Sequence, residues 1–244
     1  MPTARLKVAY DGSRFAGWSA QPGQRTVQAE IESAIERIVG ELVELTVAGR
    51  TDSGVHALGQ VASFIHSREL PDRPAERLNA VLSHDVAVLE LEPAADDFDA
   101  RHSAIARIYR YRVLASGVRD PFEERRALWW RHPLDRELLD RAAAAVVGNH
   151  DFTAFTPTQT EHVLFERTVD RCEWREQRPG LLAMEIAAKS FMRNQVRALV
   201  GTMLEVGGGR RPLEDFERLL AGAPRDDAGE TAPAHGLYLV EVRY

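Results

Sequence analysis

Strand-like and helix-like hydrophobic patterns alternate along the whole chain, and this alternation restricts the fold more than any other feature. Residues 6–10 place apolar side chains at every second position, as a half-buried strand does. Residues 27–38 place them at helical spacing, between Thr26 as a predicted N-cap and Gly40. Both periods recur later in the chain, so we expect an α+β protein.

The remaining elements follow from the same two periods and from the glycine and proline residues that end them. Further strands are predicted at residues 42–48, 61–65, 85–91, 108–114, 168–174, 181–187 and 236–244. Further helices are predicted at residues 74–82, 135–147, 190–206 and 213–221. Residues 223–234 are rich in Pro, Asp, Gly and Ala and are predicted to form a mobile surface loop. The order indicates two α+β halves, residues 1–104 and 105–244.

Composition narrows the class of protein. The 244 residues carry a formal charge of −6, and 44% are hydrophobic, which is typical of a folded chain and not of a disordered one. The single cysteine, Cys172, excludes an intrachain disulfide and a zinc site built on several thiolates. Neither a signal peptide nor a membrane span is predicted, so we expect a cytoplasmic protein without a membrane partner.

The acidic net charge conceals a concentration of arginine. All but two of the 31 basic residues are arginines, and residues 101–136 hold nine of them against four acidic residues. Such a segment can bind phosphates. It can equally be a solvated surface on which arginine replaces lysine. The net charge therefore does not exclude an RNA partner.

The most informative stretch is residues 48–57, Ala-Gly-Arg-Thr-Asp-Ser-Gly-Val-His-Ala, directly after an apolar segment. Loops at strand ends often carry function, and two glycines allow a sharp turn and a close approach to a ligand. Asp52 is a candidate nucleophile or base that a nearby arginine keeps ionised. The alternative is an ordinary turn with capping side chains and a solvated Arg50.

Two further segments carry candidate site residues. Residues 109–112 alternate so that Tyr109 and Tyr111 share one face and two arginines the other. Such tyrosines either stack on a nucleobase or pack in a core. On the helix predicted at residues 190–206, Arg193 and Arg197 lie one turn apart beside an apolar stripe, and Arg197 is a possible partner of Asp52.

Residues 49–57 resemble the GRTDxGVHA signature of the TruA-type tRNA pseudouridine synthases, and other landmarks of that family follow in family order. They are Tyr10-Asp11-Gly12, Gly17-Trp18, Thr26-Val27-Gln28, Gly59-Gln60-Val61, Phe98-Asp99-Ala100-Arg101, Tyr109-Arg110-Tyr111-Arg112, Asp120-Pro121, His150-Asp151-Phe152-Thr153, Val196-Arg197 and Gly236-Leu237-Tyr238-Leu239. The resemblance therefore covers nearly the whole chain.

The resemblance implies an isomerase that converts uridine to pseudouridine at positions 38, 39 and/or 40 of the tRNA anticodon stem-loop, without a cofactor or a metal. It also implies a fold of two pseudo-symmetric halves, with antiparallel sheets joined around a central RNA-binding cleft. The N-terminal half carries the catalytic aspartate loop. A homodimer is implied as well, because members of the family act on one tRNA with both subunits.

The resemblance assigns roles residue by residue. Asp52 takes the place of the catalytic aspartate, and Tyr109 that of the tyrosine that stacks on the uracil. Arg197 matches the arginine that pairs with the aspartate. Arg50 is expected to hold the extruded nucleotide or its phosphate. Leu237 is expected to form an apolar wall of the uracil pocket, although a plain core leucine would show the same pattern.

Two departures from the family pattern concern RNA-facing positions. Ser19 stands where a glutamine usually follows the Gly-Trp pair, and Asn194-Gln195 replaces the more usual His-Met or Asn-Met. Neither departure touches Asp52, Tyr109 or Arg50. The target uridines are therefore less firmly predicted than the reaction.

Three other functions remain open from the sequence. A retaining glycosidase or nucleosidase would use Asp52 with a second carboxylate and would release free uracil. A non-catalytic RNA-binding module would bind RNA without changing it. A relative with altered targets would act on another tRNA position or another structured RNA.

Overall fold

The computed structural model describes residues 2–160 and 163–244. The strands are β1 (Thr3–Tyr10), β2 (Thr46–Val47), β3 (His56–Ile65), β4 (Val86–Ala94), β5 (Ala106–Ala115), β6 (Leu128–Trp130), β7 (Gly148–Asp151), β8 (Glu166–Arg178), β9 (Leu181–Ala188) and β10 (Leu237–Arg243). The helices are α1 (Val27–Val39), α2 (Pro74–Asn79), α3 (Arg136–Val146), α4 (Gln195–Gly207) and α5 (Leu213–Leu219).

The chain forms two compact units, Met1–Arg107 with Tyr238–Tyr244, and Ile108–Leu237. Both contain helices and a mostly antiparallel set of strands, so the predicted α+β class is confirmed. The last seven residues belong to the first unit, whereas the predicted boundary at 104/105 assigns them to the second half. As independently folding domains, the halves 1–104 and 105–244 stay a prediction.

In the first unit the strand order is β4-β1-β3-β10, with β2 also on β3. Strand β1 pairs antiparallel with β3 and β4, while β10 pairs parallel with β3 at Tyr238 and His56. Leu6 and Val8 are fully buried at alternate positions of β1, as the period of two predicted. Burying each of these side chains stabilises the folded state by roughly 1.5–3 kcal/mol.

Helix α1 confirms the helical period predicted over residues 27–38. Val27, Ile31 and Ile35 are buried on one face, and Gly40 ends the helix in the left-handed conformation (φ 76°). Thr26 occupies the N-cap position, but its side chain makes no capping hydrogen bond. The helix therefore depends on its packed face more than on this cap.

In the second unit the strand order is β5-β9-β8-β7, with β6 parallel to β5. Strands β8 and β9 form a long antiparallel hairpin in which Trp174 faces Met184. Asp135 is the N-cap of helix α3, and its carboxylate accepts the Leu138 N–H at 3.1 Å. Strands β6 and β7 are too short for their sequence period to be recognised, and neither was predicted.

Strand β3 begins at His56, well before the strand predicted at residues 61–65. Three other predicted elements also differ clearly from the structure. Only Thr46–Val47 of residues 42–48 forms a strand, because the Leu45 N–H bonds to the Glu32 side chain (2.9 Å) and Leu42 is exposed. Helix α4 begins at Gln195 and not at residue 190, because Asn194 is left-handed (φ 61°) and the Gln195 side chain accepts the Met192 N–H at 2.8 Å.

Residues 223–234, predicted to be a mobile loop, are instead bonded to α4. The Gly229 N–H donates to Thr202 Oγ1 at 3.1 Å, and the Ala232 N–H donates to the Arg197 carbonyl at 3.1 Å. A Cβ on Gly201 would lie 1.8 Å from the Glu230 carbonyl oxygen. The composition predicted a loop, and the segment contains one short 3-10 helix, Arg225–Asp227. The composition did not predict that the loop packs closely against α4.

An ion pair joins the start of α1 to the start of β4. Two Arg25 nitrogens donate to the two oxygens of Asp85, at 2.6 and 2.8 Å, and Ser83 Oγ donates to the same carboxylate at 2.6 Å. The Arg25 hydrogen bonds lower the pKa of Asp85 to about 2. The carboxylate therefore stabilises the fold above its ordinary pKa near 4, and this stabilisation is lost as the pH falls from about 4 through about 2.

We predict that Asp85→Asn lowers the free energy of unfolding by about 1 kcal/mol at pH 7, a value discounted for partial solvent exposure. The difference from wild type should shrink when urea unfolding is repeated at pH 4 and pH 3. Glu90→Gln, which breaks the exposed Lys7–Glu90 pair, serves as the control and should cost only a few tenths of a kcal/mol. An Asp85→Asn deficit that stays constant with pH would contradict the lowered pKa.

Candidate active site

Asp52 lies in the loop of residues 48–55, between β2 and β3. The loop turns at Gly54 (φ 80°), where the Val55 N–H donates to the Asp52 carbonyl at 3.1 Å. Asp52 is half-buried, while its neighbour Thr51 is buried. The sequence thus places an aspartate that a ligand can reach on a loop that is anchored in the protein next to it, at the buried Thr51.

A second backbone segment lies directly against this loop. A Cβ on Gly12 would lie 2.0 Å from the Val55 carbonyl oxygen, and one on Gly17 would lie 2.9 Å from that of Thr51. Gly17 also has a φ of 110°, which disfavours any side chain. The Trp18 N–H donates to the Thr51 carbonyl at 3.0 Å. Only glycine permits this approach, and the approach holds the backbone on both sides of Asp52.

Hydrogen bonds from buried side chains also hold this loop in place. The hydroxyl groups of Tyr10 and Thr51 lie 2.8 Å apart, and Gln60 Nε2 donates to the Gly49 carbonyl at 2.7 Å. Tyr10, Thr51 and Gln60 are all buried. Burial raises the pKa of Tyr10 to about 12, against the lowering effect of the hydrogen bonds to Thr51 and Gln60, so its hydroxyl stays protonated. We call these three residues the buried polar chain.

Two more buried polar residues contact the ends of the loop. Arg107 donates to the Ala48 carbonyl from Nε at 2.8 Å. His56 is buried, accepts the Gly12 N–H on Nδ1 at 3.1 Å, and stacks on Tyr238 with the ring centroids 4.6 Å apart. His56 Nδ1 also lies 3.2 Å from an Asp11 carboxylate oxygen.

The sequence analysis did not assign roles to these supporting residues. Two of them carry a recognisable signal, because Gln60 and His56 are polar residues within the mostly buried strand β3. A buried polar side chain requires a hydrogen-bond partner, which makes such positions informative. Most of their partners lie far away in sequence, 41 positions for Tyr10 and Thr51 and 44 for His56 and Gly12, so no local pattern identifies them.

Arg50 lies in the same loop as Asp52 and is exposed. Within residues 2–160 and 163–244 it makes no ion pair or hydrogen bond. Its guanidinium is thus available to an anionic ligand that approaches the loop. This position is compatible with both the predicted phosphate contact and a solvated arginine.

Tyr109 and Arg197 belong to the second unit. Tyr109 is buried on β5, where its ring meets the edge of Phe191 at a centroid distance of 5.2 Å. Arg197, on α4, is half-buried and donates from Nε to the Ala232 carbonyl at 2.8 Å and from Nη1 to Asn194 Oδ1 at 3.0 Å. Both contacts are made by the guanidinium group, so they hold the guanidinium of Arg197 in one orientation.

Leu237 follows residues 233–236, which contact Tyr111 in the same unit. The Tyr111 hydroxyl donates to the Pro233 carbonyl at 2.7 Å, and a Cβ on Gly236 would lie 2.6 Å from the Tyr111 ring. Burial raises the pKa of Tyr111 although the positive charge of Arg197 opposes the shift. Leu237 itself is buried at the start of β10.

The structure therefore collects the predicted site residues in two groups. Asp52 and Arg50 share one loop of the first unit. Arg197 and Leu237 are linked through residues 232–236 in the second unit, where Phe191 brings Tyr109 next to the start of α4. The catalytic and binding roles of these five residues stay predictions.

The described parts of the chain contain neither a metal-binding cluster nor a membrane-spanning helix. There, no three His, Cys, Asp or Glu side chains are grouped so that they could hold a metal ion. None of the described helices is long and apolar enough to cross a membrane.

Cys172 is buried, and burial raises the pKa of its thiol.

Comparison with known proteins gives one consistent answer. The family model described as tRNA pseudouridine synthase matches residues 7–103 and 142–244. A tRNA pseudouridine synthase A of Halalkalibacterium halodurans is 45% identical over 235 residues, which cover 95% of this chain and 89% of that protein. Those of Frankia casuarinae and Acetivibrio thermocellus are 45% and 40% identical, covering 98% and 100% of this chain and 88% and 100% of theirs. These matches, together with the aspartate loop described above, establish that the chain belongs to the tRNA pseudouridine synthase family.

Proposed function

We propose that the protein isomerises uridine to pseudouridine in tRNA, at positions 38, 39 and/or 40 of the anticodon stem-loop, with Asp52 as the catalytic residue and without a cofactor. The observation that carries the proposal is the loop of residues 48–55. It presents a reachable carboxylate on a backbone held by close contact and by buried hydrogen bonds. Preorganised placement of a reacting group is a major source of catalysis.

The reaction is balanced without an external reagent. The N1–C1′ glycosidic bond breaks, the uracil rotates, and a bond forms between C5 and C1′. The proton on C5 is lost and N1 gains one, so no electrons are exchanged with a partner. Asp52 can contribute by attacking the sugar, by adding to the base or by stabilising an intermediate, and each of these needs an ionised carboxylate.

The other site residues are proposed to act around Asp52. Arg197 keeps the carboxylate anionic, because a nearby positive charge favours the ionised form. Tyr109 stacks on the uracil and assists removal of the C5 proton. Arg50 holds the extruded nucleotide through its phosphate, and Leu237 forms an apolar wall.

The target base has to leave its helical stem before it can react. Extruding a stacked nucleotide costs a few kcal/mol, and contacts to the flipped base and the phosphates offset that cost. The stacking role of Tyr109 and the phosphate contact of Arg50 supply interactions of this kind. We propose that the reaction takes place in the cytoplasm, where tRNA is available, and on a homodimer, as the family resemblance implies.

A hydrolytic enzyme is the main alternative. A retaining glycosidase uses two carboxylates about 5–5.5 Å apart, one as nucleophile and one as general acid. Such an enzyme would release free uracil and leave an abasic site. The family assignment favours isomerisation, in which the base is rejoined to the same sugar of the tRNA.

We predict that Asp52→Asn abolishes catalysis. With tRNA transcribed from C5-tritiated uridine, and without added metal or cofactor, wild type should release tritium and Asp52→Asn should lower the rate by at least about 1,000-fold. Asp72→Asn, a charge-matched change at an exposed aspartate, should have no effect. Carbodiimide derivatisation of the product, followed by primer extension, should locate pseudouridine among positions 38–40.

Three results of this assay would contradict the proposal. Tritium release that persists in Asp52→Asn would exclude Asp52 as the catalytic group. Free uracil in place of pseudouridine would identify a nucleosidase. Tight tRNA binding without release by wild type would identify a binding module.

We further predict that the buried polar chain is needed for the catalytic rate more than for tRNA binding. Thr51→Val removes the hydroxyl next to Asp52 and leaves the Tyr10 hydroxyl with only the longer contact to Gln60 Nε2. The single-turnover rate should fall by about 10-fold, equivalent to about 1.4 kcal/mol of transition-state stabilisation. The dissociation constant for tRNA should change by less than about twofold.

Thr51→Ser is the matched control, because it keeps the hydroxyl and should retain most of the rate. Thermal unfolding of each variant checks that the fold survives. A Thr51→Val enzyme with a normal single-turnover rate would show that the chain does not position Asp52. An equal loss of rate in Thr51→Ser would attribute the effect to the missing methyl group.

A further inference from the structure

One buried polar side chain at the start of α4 is not used by the proposed catalytic roles. Gln195 is fully buried, although its place in the sequence suggested an RNA-facing position. Its amide oxygen accepts the Met192 N–H at 2.8 Å. Its amide nitrogen, Nε2, has no hydrogen-bond partner among the described residues. A buried donor without a partner destabilises the folded state, so its presence requires a reason.

Gln195 closes the turn of residues 192–195 with both its backbone and its side chain. The Gln195 N–H donates to the Met192 carbonyl at 3.2 Å, while the Gln195 side chain accepts the Met192 N–H. Asn194 has φ 61° and ψ −2°, the conformation of the third residue of a type II turn, which asparagine tolerates. The Met192 side chain is buried, and the Thr156 hydroxyl donates to its sulfur at 3.4 Å. The turn is therefore held at both ends.

The same turn orients an aromatic residue that contacts Tyr109. The Met192 N–H belongs to the peptide group between Phe191 and Met192, so the Gln195 amide oxygen fixes the backbone that carries the Phe191 ring. Phe191 is half-buried, and its ring lies at 90° to that of Tyr109 with the centroids 5.2 Å apart. Edge-to-face contacts of this kind favour particular relative orientations of the rings. A change in the Phe191 backbone should therefore also move the Tyr109 ring.

Arg197 depends less on this turn than Tyr109 does. Asn194 accepts one hydrogen bond from Arg197, but Arg197 Nε donates to the Ala232 carbonyl, and the Ala232 N–H donates to the Arg197 carbonyl at 3.1 Å. The last two bonds tie Arg197 to residues 223–234, which pack against α4 beyond the turn. The orienting effect of Gln195 is thus directed mainly at Tyr109.

We propose that Gln195 is a positioning residue for Tyr109 and that it acts through the backbone of Phe191. The proposal rests on the proposed function for the role of Tyr109. A methionine of nearly the same size would fill the buried position without an unpartnered donor. The amide is therefore poorly suited to a role in stability alone, whereas its oxygen supplies the directed hydrogen bond that an orienting contact needs.

We predict that Gln195→Met slows the reaction without weakening the fold. Losing the unpartnered Nε2 and losing the bond to the Met192 N–H have opposite effects on stability, so the melting temperature should stay within about 3 °C of wild type. The single-turnover rate of tritium release should fall by about 10-fold, while the dissociation constant for tRNA should change by less than about twofold. A larger fall in melting temperature, with a matching loss of rate, would indicate a structural role and overturn the proposal.

Asn79→Leu is the matched control, because it also replaces an amide by an apolar side chain of similar size. The Asn79 amide accepts the Val88 N–H at 2.7 Å and donates to the Val88 carbonyl at 2.8 Å, in the first unit. This variant should lower the melting temperature and keep the wild-type single-turnover rate. If it slows the reaction as Gln195→Met does, the proposal fails, because the loss of any amide bonded to the backbone would then have this effect.

A double-mutant cycle tests the route through Phe191. Phe191→Leu keeps an apolar side chain but removes the ring that contacts Tyr109, and it should lower the rate by about 10-fold. Adding Gln195→Met should then cost less than about a further threefold, because the effects of residues that act in series are not additive. Losses that multiply to about 100-fold would show that Gln195 and Phe191 act independently, and would overturn the proposal.

A readout that does not require activity observes Tyr109 directly. The chain has only five tyrosines, so labelling with fluorotyrosine gives few fluorine NMR resonances, and that of Tyr109 is identified by its loss in Tyr109→Phe. Gln195→Met should shift or broaden the Tyr109 resonance and leave that of Tyr10, in the first unit, unchanged. An unchanged Tyr109 resonance would contradict the proposal.

These measurements separate this proposal from the proposed function. If wild type releases no tritium but the Tyr109 resonance changes in Gln195→Met, only the proposed function fails. If wild type is active and Gln195→Met keeps either its rate or its Tyr109 resonance, only this inference fails.

Discussion

The contact between two backbone segments in the first unit is the constraint on which the candidate site depends. At Gly12 and Gly17 one segment lies so close to the loop of residues 48–55 that a Cβ would collide with its carbonyl groups. The Trp18 N–H then fixes the Thr51 carbonyl, and the buried polar chain fixes the Thr51 side chain and the Gly49 carbonyl. Asp52 is thus a half-buried residue that follows a residue whose backbone carbonyl and side chain are both hydrogen-bonded. A carboxylate in this setting needs little reorganisation to react, which is the property that the proposed isomerisation requires.

Arginine serves three purposes in this protein, and the group that each arginine contacts distinguishes them. Arg107 and Arg197 donate to backbone carbonyls and so secure loops that carry site residues. Arg25 pairs with carboxylates and joins separate elements of the fold. Arg119 and Arg131 lie over the Trp129 ring, and Arg210 lies over the Trp130 ring. A composition with only two lysines is suited to all three purposes, because the planar guanidinium forms several directed hydrogen bonds and stacks on aromatic rings.

Local patterns in the sequence were sufficient for most elements but not for their long-range contacts. The period of α1 and the alternation of β1 reflect burial on one face, so both could be predicted. The polar loop after an apolar segment likewise identified Asp52 as a candidate. The start of α4 could not be predicted, because it depends on the left-handed Asn194 and on a bond from the Gln195 side chain. The partners of Tyr10, Gln60 and Arg107 were missed for a related reason, since residues far apart in sequence satisfy them. The return of β10 to the first unit is also set by pairing with β3 and not by any property of its own sequence.

The most direct test of the central claim is a crystal structure of the protein with a tRNA that carries 5-fluorouridine at positions 38–40. Fluorine replaces the hydrogen that has to leave C5, so the reaction should stop with the nucleotide still in the site. Our account predicts that the extruded nucleotide lies within about 3.5 Å of the Asp52 carboxylate, a distance suited to reaction. The backbone of residues 48–55 should move by less than about 1 Å from its position in the free protein, as expected of a preorganised site. A nucleotide bound against a different carboxylate, or a loop that refolds to reach it, would contradict the account.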